Sequence, residues 1–379
     1  MKPPDYRWIN KKDDLEKLAY DLSQERAFAV DLEADSLFHY QEKVCLIQLA
    51  SSRFISLVDP LGIPDLTPLA PVFSNPGIQK IFHGSDYDIR SLYRDFEIEV
   101  VNLFDTELAC RFLGMKQSGL NVVLKEQFDV VLDKRFQKKD WSERPLSKEM
   151  QEYAARDVQY LIPLAGKLSE NLVSMGRLDW FYEDCYLISQ VRYTESNHQP
   201  RFVKIKGAGR LYPRSLAILE SLLSFRDGIA MKKNKPPFKI LGNTALLEIS
   251  TKMPRSVESL HRLGILSGRQ IGMYGDDLIN RVHRALEIPE ADLPVFPRHT
   301  EPLHDSGYVR RLNALKQIRL NWSESLSMDA GFICNNALLN RIALNPPSTI
   351  EELAALPGFK SWQIRILGSD LIRTMHETG

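Results

Sequence analysis

The segment AFAVDLEAD places Asp31 and Glu33 two residues apart inside an otherwise apolar run, and it constrains the fold more than any other feature. Residues two apart on a strand point to the same face, so both carboxylates project together from a strand whose remaining positions suit a core. Two adjacent anions in such a setting are costly unless cations neutralise them. Mg²⁺ prefers carboxylate oxygens, which makes a divalent metal the simplest neutraliser. The alternative is a strand end that already faces solvent.

Two further segments supply acids. In KEMQEYAARDVQYL, Tyr153 and Asp157 lie four residues apart, one helical turn, so phenol and carboxylate share a face. Ser147 is placed to cap that helix, with Glu149 in its first turn. In FHGSDYDIRSL, Asp88 follows an apolar strand and a His-Gly turn, with Asp86 as a rival. Asp88 is favoured because Ile89 and Leu92 then fall on the buried side beside it. Four acids from separate elements suit two metals about 3.5–4 Å apart, which activate water and stabilise a leaving oxygen in phosphodiester cleavage. The Tyr153 hydroxyl could position that water, although a phenol with an ordinary pKa near 10 is a poor base. His83, just before the Gly turn, either approaches this site or is a buried structural histidine.

The chain around these motifs is long enough, at 379 residues, for two or three domains. Short apolar strands over 27–60 suggest an antiparallel meander, followed by alternation: Leu66–Phe73 helical, 78–83 extended, Tyr87–Phe96 helical, 99–104 extended. Helical spacing then runs over 106–113, 120–128 and 147–174, with a kink or break expected at Pro163. Strands, then alternation, then helices indicate a mixed α/β domain over 1–195. SNHQPRF at 196–202 and IPEADLPVFPRHTEP at 288–302 read as linkers to two small all-α domains, at 208–288 and 303–379.

Those two helical units read as divergent copies. LHRLGILSGRQIGMYGDDLINRV at 260–282 aligns with LAALPGFKSWQIRILGSDLIRTM at 353–375, and MPRSVESL echoes PPSTIEEL just upstream. Charge separates them. Net charge is zero overall, but residues 1–200 carry 24 Lys/Arg against 32 Asp/Glu, 201–285 carry 16 against 6, and 286–379 carry 9 against 11. A carboxylate-rich segment beside a basic one suggests a site joined to a module that grips a polyanion; a solvated basic face is the alternative. Lys232, Lys233, Lys235 and Lys239 are the densest basic patch, with Phe238 either stacking on a base or packing into its own core. Lys134, Arg135, Lys138 and Lys139 form a second cluster, and Trp141 reads as a loop anchor. Cys45, Cys110, Cys185 and Cys334 are isolated, which argues against zinc or a disulfide framework. No apolar run approaches the roughly 20 residues of a membrane span, and the expectation is a cytoplasmic protein with no membrane partner.

VDLEAD, HGSDYDI and YAARD resemble the three exonuclease motifs of the DEDD superfamily, in its tyrosine-bearing branch. FDTELACRFLG, GLNVVLKEQF and the segment around KKDWSERPLSKEM are similar to the connecting segments of ribonuclease D and its exosome-associated relatives. SLLSFRDGIAMKKNKPPFKILGNTALLEISTKMPRSVESL resembles the helical domain shared by RecQ-type helicases and ribonuclease D, and two such modules favour the bacterial type. The resemblance implies a ribonuclease H-like (DnaQ-like exonuclease) α/β fold followed by the two helical domains. It implies a 3′-to-5′ exoribonuclease that releases nucleoside 5′-monophosphates using two divalent ions, Mg²⁺ or Mn²⁺. By motif position, Asp31 would bridge both metals, Glu33 would bind one of them, Asp157 would complete the first metal's site, Asp88 would hold the second, itself or by way of a water, and Tyr153 would orient the nucleophile. RNA with a single-stranded 3′ end is the implied partner, with tRNA precursors as an example, and a monomer is the implied state. Two departures stand out: Leu32 replaces a small polar residue common in the family, and the second helical module is weakly charged. A DNA exonuclease and an inactive RNA-binding scaffold are the competing readings.

Overall fold

A computed structural model describes residues 4–194, 199–297 and 305–378. The chain forms two compact units. One combines Met1–Ala34, Lys43–Tyr193 and Pro302–Gly379; the other combines Asp35–Glu42 with Thr194–Glu301.

Among the described residues the first unit is built on six strands: β1 (Arg7–Ile9), β2 (Ala27–Ala34), β3 (Val44–Ala50), β4 (Ile55–Val58), β5 (Gln79–Phe82) and β6 (Leu103–Asp105), in the order β1-β4-β3-β2-β5-β6. As expected, β2, β3 and β4 form an antiparallel meander. β1 joins β4, β5 joins β2 and β6 joins β5, all parallel, so β2 lies in the interior of a mixed sheet. Only the end of the segment expected to be extended over 99–104 enters the sheet. Val101 donates its N–H to Phe73 instead, and Asn102 takes φ +56°, which turns the chain before β6 begins.

One sheet face carries the main core, including Phe28, Val30, Ile47 and Leu49. On the other face the Lys148–Gln159 helix packs over Leu46 and Leu57 through Met150, Tyr153 and Ala154. The Ser147 hydroxyl accepts from Met150 N at 3.3 Å, and Glu149 stands in the first turn. The helical spacing over 147–174 divides at Tyr160 into Lys148–Gln159 and Leu161–Ser174. Pro163 falls in the first turn of the second helix, where an amide would have no intrahelical partner.

The helical modules share one internal plan. Gln270 donates to Ile240 O and Gln363 to Ile333 O, at 3.1 and 2.7 Å. Arg226 Nη1 ties Leu241 O and Asn243 Oδ1, as Arg319 Nη1 ties Cys334 O and Asn336 Oδ1. Gly275 lies against Val257 as Gly368 lies against Ile350. Such matched pairs support duplication, since the same hydrogen bonds recur between equivalent positions. The two stretches read as linkers fall partly outside the described residues, at 195–198 and 298–304; their described parts include short 3₁₀ turns at Arg201–Lys204 and Glu290–Asp292.

The second module is fused to the sheet domain by a continuous core. Trp362 stacks on Trp180 with ring centroids 5.2 Å apart and donates Nε1–H to Asp184 at 3.1 Å. Lys360 pairs with the same Asp184, and Glu183 accepts from Ser361 N and Trp362 N, capping the Ser361–Thr378 helix. Arg177 bridges Phe112 O and Leu326 O at 2.6 and 2.7 Å. Gly114 has φ +75°, and a Cβ there would stand 1.9 Å from Ser327 O, so the approach requires glycine. In the other unit, Tyr40 packs on the first module's core, and its N–H reaches Asn234 Oδ1 at 3.2 Å.

Replacing Trp362 by Ala removes the centre of this junction and should cost about 3–5 kcal/mol. Denaturant unfolding of the full chain should show the sheet domain and second module losing stability together; an unchanged midpoint would mean that the junction contributes nothing.

Candidate active site

The site is built on β2. Asp31 and Glu33 share the sheet face opposite Phe28, Val30 and Leu32, across from Gln48 and Leu46 of β3. A register shift between Glu33 and Ala34 ends the regular ladder just past the acids. The Lys148–Gln159 helix brings Asp157 onto the pair, and ligand oxygens of Asp31, Glu33 and Asp157 all lie within 4.8 Å of one another. Asp88, buried in the first turn of the Asp86–Phe96 helix, lies beside this trio rather than within it. Its rival Asp86 is half-exposed to solvent and pairs with Arg90 at 2.9 Å, while Ile89 and Leu92 are buried as expected.

Electrostatics set this cluster apart. Burial pushes the Asp31 carboxyl up to about 7. Burial, and then the negative charges of Asp31, Asp157 and Asp88, hold Glu33 well above its ordinary range. Asp88 and Asp157 are raised in the same way, by burial first and then by Asp31. The charges acting on these three are all carboxylates, so the site is a concentrated negative field. Three oxygens converging in that field suit a divalent cation, whose charge would relieve both the burial cost and the repulsion. Tyr153 hydrogen-bonds Asp157, and burial followed by that carboxylate raises its pKa strongly. The phenol therefore keeps its proton and works as a donor.

Several supporting residues carry no local signature. Asp105 accepts from Gly84 N, Ser85 N and the Ser85 hydroxyl at 2.7–2.9 Å, and from Glu107 N and Leu108 N. It thus fixes the turn that delivers Asp88 while capping the next helix. The only hint in the sequence is an Asp-Thr-Glu at the end of an apolar strand. Arg144 makes a two-pronged pair with Asp59 at 2.7 and 2.9 Å and also binds Cys45 O and Trp141 O, clamping the loop before the Lys148–Gln159 helix to the sheet. Trp141 is buried 6.0 Å from the Tyr153 ring, the packing role expected of it. His83 is bonded through Nδ1 to the Thr106 hydroxyl at 2.9 Å, and burial lowers its pKa, yet its ring also lines the site cavity.

That cavity has a volume of about 390 Å³ and is lined by Asp31, Glu33, Tyr153 and Asp157 together with His83 and Lys134. Arg135 lines an adjoining cavity of about 210 Å³ and pairs with Asp133; Lys138 and Lys139 are exposed. In the other unit the lysine patch is partly committed. Lys233 donates to the Tyr274 hydroxyl at 2.8 Å and Lys239 lies 4.2 Å from the Phe38 ring centre, whereas Lys232 and Lys235 are exposed. Phe238 is 56% exposed, so the core-packing alternative does not apply.

A family model described as a 3′-5′ exonuclease matches residues 6–173, and one described as an HRDC domain matches twice, at 215–282 and 309–375. The ribonuclease D of Acidiphilium cryptum is 30% identical over 384 residues, covering 98% of this chain and 95% of the relative. The crystal structure of Escherichia coli RNase D, an exoribonuclease involved in structured RNA processing, superposes with a TM-score of 0.76 at 28% identity, covering 98% of this chain and 99% of that one. The catalytic core of RRP6 from Trypanosoma brucei gives a TM-score of 0.66 at 29% identity over 75% of this chain and 80% of that one. With its acid-bearing sheet domain and two HRDC modules in this order, the chain belongs to the ribonuclease D family and is a 3′-to-5′ exoribonuclease.

Proposed function

We propose that Asp31, Glu33, Asp88 and Asp157 hold two divalent cations, Mg²⁺ or Mn²⁺, at which the last phosphodiester of an RNA 3′ end is hydrolysed. The convergence of three carboxylate oxygens within 4.8 Å, with Asp88 beside them, is the observation that carries this reading. Bound there, the cations would acidify the attacking water and offset charge on the leaving oxygen. Cleavage of the P–O3′ bond releases the terminal nucleotide with its 5′-phosphate and leaves a new 3′-hydroxyl. Tyr153, held protonated against Asp157, orients the water through its hydroxyl, and Lys134 offsets phosphate charge at the cavity wall.

The cavity admits something of nucleotide size and lies in the sheet domain, which suits an unpaired 3′ end drawn inward. We assign the exonuclease domain to 1–195 and the helical domains to 208–288 and 303–379. The basic residues Arg135, Lys138, Lys139, Lys232, Lys233, Lys235 and Lys239, with Phe238, are assigned to the RNA path. Precursor tRNAs and other structured RNAs with single-stranded tails are the expected substrates, acted on by a monomer in the cytoplasm. Among the described residues no helix is long and apolar enough to cross a membrane.

A 5′-labelled single-stranded RNA incubated with Mg²⁺ should shorten from its 3′ end, and EDTA should stop the reaction. Asp31→Ala should lower the rate by roughly 10²–10³-fold or more. Tyr153→Phe keeps the ring packing against Trp141 and Phe136, so it should retain Mn²⁺ binding while losing about 10²-fold in rate. Equal shortening of single-stranded DNA would favour the DNA-exonuclease reading; tight RNA binding without shortening under either metal would favour a scaffold.

The raised carboxyls also fix a pH dependence. Between the ordinary carboxylate value near 4 and about 7, the folded metal-free protein holds the Asp31 proton more tightly than the unfolded chain does. Stability from this group therefore falls as pH rises through that window. A divalent cation removes the penalty, so Mn²⁺ should raise Tm more at pH 8 than at pH 5. Equal increments at both values, measured by calorimetry, would contradict the assigned ligands.

A further inference from the structure

Gln48 stands directly across from Asp31 in the β2–β3 ladder. Residues opposed in this way share a face, with Cβ atoms about 4.5–5.5 Å apart. The face is the one under the catalytic helix: Leu46, two residues away on β3, and Leu57, opposite Gln48 on β4, pack with Trp141, Tyr153 and Ala154. Gln48 is wholly buried, yet among the described residues neither its amide nitrogen nor its amide oxygen has a hydrogen-bond partner.

An unpaired buried amide is a standing cost to the fold. A Met of similar length would fill the same space among these apolar neighbours without that cost, so packing gives no reason for a glutamine. The neighbouring carboxylate does. Asp31 lies in a field of like charges and takes a hydrogen bond from the backbone of Leu32, which leaves room for a side-chain donor that fixes its orientation. A side chain as long as that of glutamine can reach a group across a cross-strand gap of this size.

We propose that Gln48 is a positioning residue: its carboxamide N–H donates to the Asp31 carboxylate and fixes that group for cation binding. This rests on the metal reading given above. Gln48 touches neither substrate nor cation; it acts through Asp31, and its loss should appear first as weakened metal affinity.

Calorimetric titration of the full chain with Mn²⁺, without RNA, compares wild type with Gln48→Met and Gln48→Asn. The metal-free Tm of Gln48→Met should equal or exceed that of wild type, because a buried unpaired amide is gone. Its Mn²⁺ affinity should fall about 10- to 100-fold. Turnover should fall at a fixed Mn²⁺ concentration and recover in part at higher concentration, with KM for RNA changing less than twofold. Gln48→Asn keeps the amide but shortens its reach, and should also lose affinity; it carries the test if Gln48→Met does not fold. Wild-type Mn²⁺ affinity in the folded variants would overturn this proposal and leave the active-site assignment standing. A wild-type chain that takes up no Mn²⁺ would overturn both.

Discussion

Mutual repulsion among four carboxylates is the constraint to which the sheet domain answers. Asp31, Glu33, Asp88 and Asp157 come from an interior strand and two helices, and each is pushed toward its neutral form by burial and by the others. Left to itself, such a cluster would spread apart. It is held by elements whose contacts are already committed: β2 is paired on both sides, the turn before Asp88 is fixed by three hydrogen bonds to Asp105, and Arg144 ties the approach to the Asp157 helix onto Asp59 and Cys45. Stability is given up at the site so that the oxygens meet at a spacing a cation can use.

The same field decides what Tyr153 can do. Burial and the surrounding carboxyl groups hold the phenol well above its ordinary range, so it stays a fixed donor to Asp157. The hydroxyl is placed by ordinary core packing: Trp141 and Phe136 set the ring, and the helix spacing sets Asp157 against it.

The two HRDC modules show how a duplicated fold can diverge while its interior stays fixed. Equivalent arginines and glutamines tie the same backbone carbonyls in both, because a buried carbonyl without a donor is costly wherever the module is used. The surfaces went separate ways. The first copy concentrates lysines, whereas the second replaces charge with Phe332 and Trp362 and spends them on Phe112 and Trp180. Its low charge thus has a structural counterpart: it is an extension of the sheet domain's core.

Whatever depends on spacing along the chain was legible in the residues themselves. A period of two puts Asp31 and Glu33 on one face, a period near four puts Tyr153 against Asp157, Ser147 marks a helix start, and Ile89 with Leu92 orients Asp88 inward. The repeat alignment likewise located positions that later proved to share contacts. The helices Lys12–Ser23 and Leu178–Ser189 are harder to read, for neither begins with a side-chain cap. Other features join residues far apart in sequence, and no local pattern encodes them. The order of the sheet, the Arg144–Asp59 clamp, Asp105 beneath the Asp88 turn, Gln48 facing Asp31 and the docking of Trp362 on Trp180 each depend on which elements become neighbours. Which groups could do chemistry follows from the residues alone, because covalent spacing and backbone period fix the face a side chain takes. How close those groups stand and how strongly they repel is set by the folded domain, because both depend on packing and burial throughout it.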